Sequence, residues 1–310
     1  MASPVCIIDP VAGSAVNGVS DDIPPSHVHL ATTDHRRFAM TATSAEMRYE
    51  TDALPLLAGK RILITGAASG IGFGAARAFL GFGAHIVVSD RDEGALARSW
   101  PDLPADRIRR LDVVEEDECE DCVEKSIKVL GGLDGVFHSA GISDVVAPAI
   151  DVKIEDWQRV VDVNLRGTFL VARAAGRQML QQGAGSIVAI SSVNGLGGIP
   201  RRHAYGPAKA AITQLVRTLA SEWGGSSVRV NAVAPTYIRT PMVDRLAAEG
   251  KIDIERLERR TPMGRIGEVS DVARAAAFLL SDLSAFCTGV TLPVDGGWLA
   301  YGGPGDVATA

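Results

Sequence analysis

The stretch Arg61-Ile62-Leu63-Ile64-Thr65-Gly66-Ala67-Ala68-Ser69-Gly70-Ile71-Gly72 decides how this chain folds. An apolar, β-branched run that breaks into glycines and then enters an alanine-rich helical pattern predicts a strand, a tight turn and a helix. Glycines let such a turn approach a phosphate closely, and the first amides of the helix carry the positive end of its dipole. Glycines also occur in ordinary loops, so the rest of the chain must decide. On this basis we predict a cofactor phosphate site formed by Gly66, Ser69, Gly70, Ile71 and Gly72.

Strand-like and helix-like segments alternate along the chain from Gly59 onward. Strands separated by helices run parallel, and a parallel sheet is covered by helices on both faces. The pattern therefore predicts an α/β fold with a doubly wound parallel sheet of about seven strands. We place these strands at residues 61–65, 85–89, 108–111, 135–138, 186–191, 228–233 and 290–294, with one long helical stretch over 155–181.

The pattern also divides the chain into regions. Residues 1–58 lack sustained periodicity, which predicts a mobile N-terminal extension. Residues 59–303 are predicted to form a single dinucleotide-binding catalytic domain, and 304–310 a tail. Residues 236–263 combine prolines with a charged helical pattern. We expect them to form a substrate flap over the carboxyl edge of the sheet, where ligands bind in open α/β folds.

Composition excludes several classes of partner. The formal net charge of −6 argues against a nucleic acid or an anionic membrane. No apolar run approaches the roughly 20 residues that span a bilayer, and the N-terminus lacks a basic region followed by an apolar core, so we expect a cytoplasmic protein. Four cysteines are too few for a disulfide scaffold. Cys119 and Cys122 lie in an acidic helical run without a second ligand pair, and we expect no metal there.

Asp90 ends the second strand, about 20 residues beyond the glycines. An acid at this place can accept hydrogen bonds from both hydroxyls of an adenosine ribose, and it would repel a 2′-phosphate. This favours NAD as the cofactor. NADP is the alternative, because the neighbouring Arg91 could pair with that phosphate. The alternative role for Asp90 is an ordinary turn at the end of a strand.

A second group of residues combines side chains that suit acid-base chemistry. Ser191-Ser192 ends the fifth strand, and Tyr205 and Lys209 follow. These last two are four positions apart, so on a helix they share one face. Pro207 is tolerated in a first helical turn and places the start of that helix near Tyr205. This tyrosine-lysine spacing is common by chance, and the inference rests on its combination with the serines and the glycine turn.

Over residues 60–300 the chain resembles the short-chain dehydrogenase/reductase family, in its single-domain branch. The resemblance rests on Thr65 to Gly72, Leu111-Asp112-Val113, Ala140-Gly141, Asn164, Ser192, Tyr205, Lys209, Asn231-Ala232-Val233-Ala234-Pro235 and Ile238-Arg239-Thr240. It implies a Rossmann-type sheet and a nicotinamide cofactor. The residues that it places at this cofactor, beside those named above, are Asp112 and Val113 at the adenine, Ala140, Gly141, Tyr205, Lys209, Pro235, and Ile238 and Thr240 at the carboxamide.

The resemblance also assigns catalytic roles. Ser192 lies 13 positions before Tyr205, which is the family's interval, so we choose Ser192 over Ser191. Tyr205 would exchange a proton with the substrate oxygen, and Ser192 would hydrogen-bond that oxygen. A phenol of pKa about 10 is a slow base near neutrality, and we expect Lys209 and the oxidised nicotinamide to lower this pKa. Lys209 is also implied to bind the nicotinamide ribose. For Asn164 two compatible roles stay open, a relay water or a bridge between backbone groups.

The chain departs from the family pattern at three positions. His138-Ser139 stand where two asparagines are common, and Thr236 stands where glycine usually follows Pro235. Ser69 stands where relatives that prefer the phosphorylated cofactor often carry a basic residue, which again favours NAD.

We expect the substrate to contact Ser192, Asn194, His203, Tyr205 and the flap. Arg201 and Arg202, next to His203, suggest either an anionic substrate or a solvated loop or subunit contact.

Together these observations predict an NAD(H)-dependent oxidoreductase that interconverts a secondary alcohol and its ketone. One alternative is an NADPH-dependent reductase of 3-oxoacyl thioesters, which the missing basic residue at Ser69 disfavours. The other is a non-catalytic nicotinamide-binding regulator on the same fold, which would not need Ser192, Tyr205 and Lys209. The resemblance also implies a homotetramer, through the long helices at 155–181 and 205–223.

Overall fold

A computed structural model describes residues 55–303 and 305–308. The proposed mobile extension therefore falls, for residues 1–54, outside the described residues. The predicted doubly wound fold is confirmed: seven parallel strands form one sheet in the spatial order β3-β2-β1-β4-β5-β6-β9. These strands are β1 Arg61–Thr65, β2 His85–Asp90, β3 Ile108–Arg110, β4 Gly135–His138, β5 Gly185–Ile190, β6 Val228–Pro235 and β9 Thr291–Val294. A separate pair consists of β7 Ile238–Arg239 and β8 Gly267–Glu268.

Nine α-helices lie in the described part of the chain. Their bounds are α1 Gly70–Gly81, α2 Glu93–Ser99, α3 Glu116–Leu130, α4 Ile154–Val161, α5 Gly167–Gln182, α6 Tyr205–Trp223, α7 Pro241–Ala248, α8 Ile254–Arg260 and α9 Val269–Leu280. Alternate residues of β1 show how the helices cover the sheet, because Leu63 packs in a core with α3, α5 and α6 whereas Ile62 and Ile64 pack in a core with α1 and α9. The sheet is thus buried on both faces.

The strand order reverses between β1 and β4, which are neighbours in the sheet although β2 and β3 come between them in sequence. Their register pairs Thr65 with His138, so both strands end at one level. A crevice opens where the connections from neighbouring strands leave in opposite directions. This topology fixes the position of the candidate site.

The helical stretch expected over 155–181 is not continuous. A π-helical turn at Asp162–Arg166 separates α4 from α5, and Asn164 lies within it. The Asn164 amide nitrogen donates to the carbonyls of Val160 and Ile142, both at 2.9 Å. A side chain that donates a hydrogen bond to a backbone carbonyl of the helix competes with the regular helical hydrogen bond and widens the local turn. Amphipathic spacing does not reveal such a turn, because the residues on either side keep an ordinary helical pattern.

The cysteine pair lies on an ordinary amphipathic helix, α3. Cys119 and Cys122 are buried in the core, and burial raises the pKa of their thiols to about 12 and about 11. Over the described ranges, no three His, Cys, Asp or Glu side chains group as metal ligands. No helix in that part of the chain is long and apolar enough to cross a membrane.

Candidate active site

A cleft of about 500 Å³ lies at the carboxyl edge of the sheet. Most of the residues expected at the cofactor and the substrate line it: Gly66, Ser69, Gly70, Ile71, Gly72, Asp90, Arg91, Asp112, Val113, Ala140, Gly141, Asn164, Ser192, Asn194, Tyr205, Lys209, Ile238 and Thr240. Pro235 does not line it directly, but its carbonyl lies 3.5 Å from Ser192 Oγ. His203 does not line the cleft. We call the part around Gly66–Gly72 and Asp90 the glycine-turn end, and the part around Asn164, Ser192, Tyr205 and Lys209 the tyrosine end.

Two glycines of the turn, Gly66 and Gly72, leave no room for a side chain. Gly66 has a φ of +69°, and a Cβ there would lie 2.7 Å from the Ala140 backbone. A Cβ on Gly72 would lie 2.2 Å from the Gly66 carbonyl oxygen. Glycine is therefore required at both positions, because the backbone of the turn packs directly on neighbouring backbone.

Neighbouring side chains hold the turn in place. Trp100 Nε1 donates to the Ala67 carbonyl at 2.9 Å, and Ser99 Oγ donates to the Ala68 carbonyl at 2.8 Å. The N-cap of α1 is Ser69, whose side chain makes no capping hydrogen bond. The side chain of the N-cap residue therefore does not bind the first amides of α1, which face the cleft. Free amides at a helix N-terminus suit a phosphate.

The Asp90 carboxylate is anchored by backbone. Its Oδ2 accepts from the Ala68 amide and its Oδ1 from the Asp92 amide, both at 3.1 Å. These bonds fix a negative charge at the glycine-turn end and leave lone pairs for further donors. Arg91 is exposed beside it.

The ends of β1 and β4 share a small buried network. Thr65 Oγ1 accepts from the Ala140 amide at 3.3 Å, so its own hydrogen can donate to His138 Nδ1 at 2.9 Å. The imidazole hydrogen then belongs on Nε2, which is buried without a partner among the described residues. Burial, together with the Lys209 charge, lowers the pKa of His138 to about 3 and keeps the ring neutral. His138 thus supports the backbone at Ala140 as a neutral group.

The two adjacent serines have different surroundings. Ser191 Oγ is buried between the Lys209 carbonyl and Thr213 Oγ1, both at 3.0 Å, and it faces away from the cleft. Ser192 lines the cleft, and its Oγ accepts from the Asn194 amide at 3.2 Å. The side chain that can reach a substrate is therefore that of Ser192, the serine chosen from its spacing.

Tyr205 and Lys209 share one face of α6, as their spacing predicts. The Lys209 ammonium lies 5.4 Å from the centre of the Tyr205 ring and donates to the Ile190 carbonyl at 2.8 Å. Burial lowers the pKa of Lys209 to about 7. Burial also raises the pKa of the Tyr205 phenol, while a hydrogen bond from Ser192 and the Arg202 charge oppose that rise. In the protein alone the phenol pKa therefore shifts upward, opposite to the direction expected from the lysine.

Asn164 is fully buried at the tyrosine end, and both roles left open for it find support. Its amide nitrogen bridges two backbone carbonyls across the π-helical turn. Its Oδ1 has no partner among the described residues, and a Cβ on Gly141 would lie 2.7 Å from that oxygen and 3.6 Å from Lys209 Nζ. An unpaired buried acceptor beside a lysine suits a water molecule.

The proposed flap supplies part of the cleft wall. Thr236, Tyr237, Met242, Leu246 and Ile252 line it, so this wall is largely apolar. His203 instead lines a second cavity of about 140 Å³, and its carbonyl accepts from Trp157 Nε1 at 3.0 Å. The expected substrate contact from His203 is thus absent from the cleft, because the loop before α6 points this residue toward α4.

Sequence reasoning missed residues that act through distant contacts. Thr65 Oγ1 accepts from Ala140, and Asp144 binds the start of α6 and the side chain of Arg202. Asp144 lies 61 positions before Tyr205. An isolated acid in a loop carries no local pattern, so only the fold reveals its partner.

Comparison with known proteins places this geometry in a family. A family model described as enoyl-(acyl carrier protein) reductase matches residues 66–299. The chain is similar to the cis-4-hydroxycyclohexanecarboxylate dehydrogenase of Sinomonas cyclohexanicum, with 38% identity over 241 residues that cover 77% of this chain and 96% of that protein. It is also 38% identical over 245 residues to the 3-oxoacyl-(acyl-carrier-protein) reductase FabG of Thermotoga maritima, covering 78% of this chain and 98% of FabG.

Two further comparisons concern length and structure. An uncharacterised short-chain type dehydrogenase/reductase of Sinorhizobium fredii is 36% identical over 248 residues, which are 80% of this chain, and the chain spans 45% of that protein's length. The structure of ElxO with NADP bound matches with a TM-score of 0.73 and 31% identity, over 78% of this chain and 99% of ElxO.

Proposed function

We propose that this chain, which belongs to the short-chain dehydrogenase/reductase family, is an NAD(H)-dependent enzyme that interconverts a secondary alcohol and its ketone. Its membership makes it an oxidoreductase of that family; the cofactor and the substrate are our proposal. The single observation that carries the proposal is the tyrosine end, where Ser192, Tyr205 and Lys209 line one cleft with the glycine turn. A binding protein would not need these three side chains together.

The residues present fit a nicotinamide cofactor. The first amides of α1 are free of a side-chain cap at the glycine-turn end, and at the opposite end Asn164 Oδ1 is a buried acceptor without a partner among the described residues. Gly66, Ser69 and the first turn of α1 would hold the phosphates, and Lys209 and Ile238 the nicotinamide half. When bound, the cofactor would accept a hydride from the alcohol carbon.

The chain's own residues move the proton. Tyr205 removes the hydroxyl proton of the alcohol when it acts as a phenolate, and it returns that proton in the reverse reaction. Ser192 donates a hydrogen bond to the substrate oxygen as its charge changes. Lys209, with a pKa of about 7, can carry or release a proton near neutrality beside Asn164 Oδ1.

Support for NAD over NADP comes from the anchored carboxylate of Asp90. Because two backbone amides hold it, this side chain cannot easily swing away from a 2′-phosphate, and the charges would repel each other. Ser69 adds no positive charge. The NADP-bound relative and the exposed Arg91 favour the opposite choice, so this preference needs a direct measurement.

A paired titration of the full chain with NADH and NADPH tests the cofactor. We expect NADH to bind at least about tenfold more tightly, and Asp90→Asn to reduce this ratio to about threefold or less, since about 1.4 kcal/mol is tenfold. Asp102→Asn, an exposed acid outside the cleft, is the matched control and should leave the ratio unchanged. Tighter binding of NADPH would overturn the proposed cofactor.

An alcohol panel read at the nicotinamide absorbance tests the reaction. Cyclic hydroxy acids represent the substrate class in the name of the Sinomonas relative. Sugar alcohols and simple secondary alcohols widen the panel. Turnover that needs Tyr205 supports the proposal. A silent panel despite tight NADH binding would favour a non-catalytic regulator.

The second candidate is reduction of 3-oxoacyl thioesters with NADPH. The similarity to FabG favours it. A 3-oxoacyl thioester belongs in the same panel, and NADPH-dependent turnover on it above all alcohols would replace the main proposal.

We also propose a homotetrameric enzyme of the cytoplasm whose partner is a small alcohol or ketone. Support for assembly comes from α5, where Phe169 is 40% exposed and Leu180 is 36% exposed, since exposed apolar side chains on a long helix suit a subunit interface. Light scattering of the purified chain tests the tetramer, and a monomer would contradict it.

A further inference from the structure

The start of α6 lacks a cap from its own sequence. Ala204, which precedes Tyr205, has no side chain that could bind the first amides of the helix. A carboxylate from another segment takes this role: Asp144 Oδ2 accepts from the Tyr205 amide at 3.0 Å and from the Ala204 amide at 3.3 Å. A negative charge at a helix N-terminus is favourable, because it satisfies free amides and opposes the helix dipole.

Arg202 fixes this carboxylate from the other side. Its Nη1 donates to Asp144 Oδ1 at 2.8 Å and to Ser143 Oγ at 2.7 Å. The Asp144 side chain is only 6% exposed and that of Arg202 is 23% exposed, so solvent screens the pair less than a surface ion pair. The carboxylate is therefore held by backbone and by guanidinium at once.

The pair joins the two walls of the cleft near the reacting groups. Ser143 and Asp144 continue the loop that begins with Ala140-Gly141, on the cofactor side. Arg202, Ala204 and Tyr205 belong to the segment that carries the tyrosine. Ser143, Arg202 and Tyr205 all line the cleft.

We propose that Asp144 and Arg202 are positioning residues that lock the backbone of Tyr205 to the cofactor-side loop. This inference rests on the proposed function, because it concerns the reach of the phenol toward the substrate. Their hydrogen bonds are made to each other, to Ser143 and to the amides of Ala204 and Tyr205. Their part is to set the distance between Tyr205 and the loop at Ala140-Gly141, where a misplacement of about 1 Å can reduce the rate about 100-fold.

The pair also balances charge around the phenol, which gives the proposal a signature that a purely structural brace lacks. Asp144 raises the pKa of Tyr205 and Arg202 lowers it. A third charged group, Lys209, faces the ring from within α6. Removing one member of the pair should move the phenol pKa in one direction, and removing the other should move it in the opposite direction.

The test compares Asp144→Asn with Arg202→Gln in the full chain. Each should lower kcat of alcohol oxidation about 10-fold to 100-fold, with the KM for the nicotinamide cofactor within about twofold. Oxidation needs the phenolate, so its rate rises with pH through the phenol pKa. Asp144→Asn should move this rising limb to lower pH, and Arg202→Gln should move it to higher pH.

Two further variants complete the design. Arg202→Lys keeps the charge but loses the planar fork, and it should return the limb toward the wild-type pH with an intermediate kcat. Arg217→Gln removes an exposed arginine of α6 outside the cleft and should change neither quantity. Limbs that stay in place, or that move in the same direction in both variants, would overturn the proposal. A kcat loss that merely follows a lower melting temperature would also overturn it.

A second readout separates this inference from the proposed reaction. The tyrosinate absorbance of wild type minus that of Tyr205→Phe reports the phenol directly, in the absence of turnover. If no alcohol is oxidised yet Asp144→Asn and Arg202→Gln shift this titration in opposite directions, the charge balance stands and only the proposed reaction fails. If turnover is present but the titration does not move, the inference fails alone.

Discussion

At the glycine-turn end of the cleft the wall is mostly backbone, whereas at the tyrosine end it is made of side chains from separate elements. Gly66 and Gly72 pack backbone on backbone, and Asp90 is fixed by amides of its own neighbourhood. Asn164 and Lys209, in contrast, are buried polar groups. Within the described part of the chain the Asn164 oxygen has no partner, and the pKa of Lys209 is lowered. A rigid backbone surface can recognise a cofactor by its shape. Proton transfer instead needs groups whose charged form is destabilised by burial, so that their pKa lies nearer to neutrality.

The strongest way to separate the two ends is Tyr205→Phe. We expect turnover to fall at least about 1,000-fold, which is about 4 kcal/mol, because the proton has no other acceptor at that place. NADH affinity, measured by fluorescence titration, should stay within about twofold because the glycine-turn end is unchanged. If NADH binding is lost together with turnover, the two ends do not act separately; retained turnover would remove Tyr205 from the mechanism.

The glycine-turn end can be broken with Gly66→Ala. The substitution combines a left-handed backbone with a Cβ placed 2.7 Å from the Ala140 backbone, so we expect a loss of about 3 kcal/mol in the free energy of unfolding. Denaturant unfolding measures this loss, and NADH binding should weaken as well.

Gly131→Ala is the matched control for this variant. Gly131 has a φ of +75° with nothing within 4 Å of its Cβ position, so it should lose only about 1 kcal/mol. Equal losses in the two variants would show that conformation alone, and not the close contact with Ala140, determines the glycine at position 66.

The smallest of these effects sharpens the tyrosine end and depends on pH. The folded protein lowers the pKa of Lys209 from 10.5 to about 7, so between these values the unfolded chain binds more protons and the stability rises with pH. Relative to Lys209→Met, the wild-type free energy of unfolding should rise at close to 1.4 kcal/mol per pH unit above about pH 8, or by about 2 kcal/mol from about pH 7.5 to about pH 9. Denaturant unfolding at several pH values measures this difference.

Other titrating groups do not disturb this comparison. His138 has its folded pKa at about 3 and is neutral in both states above about pH 7.5. Cys119 and Cys122 have raised pKa values, but they are present in both proteins and cancel in the difference. Parallel stability curves for the wild type and Lys209→Met would show that Lys209 keeps its charge in the folded protein.

The sequence predicts local features better than those that depend on the fold. The strand before the glycines and the shared face of Tyr205 and Lys209 follow from spacing within one element, and the structure places them as expected. The raised pKa of the phenol does not follow from spacing, because it depends on how much surface the whole fold buries. Asp144 was missed for the same reason, since its partners lie about 60 positions further along the chain.

Two predictions about single residues illustrate how far spacing in the sequence can locate a side chain. The spacing to Tyr205 led to Ser192, and the structure gives Ser191 a different set of partners. His203 lies two residues before α6, and the sequence therefore predicts that it contacts the substrate, as Tyr205 is expected to do. The loop that carries it has a left-handed residue, Arg201, with a φ of +65°, and no sequence pattern reveals that turn.

The π-helical turn at Asp162–Arg166 has a consequence for how this gene can change. Such a turn holds one more residue than a regular helix, so it is in effect a one-residue insertion that the fold has kept. Deleting one residue there would restore a regular helix and leave the faces of α4 and α5 close to their present directions, because the wide turn absorbs the extra residue locally. The packing of α5 on the sheet would survive such a deletion. The wide turn in which the Asn164 amide reaches the carbonyls of Val160 and Ile142 would not.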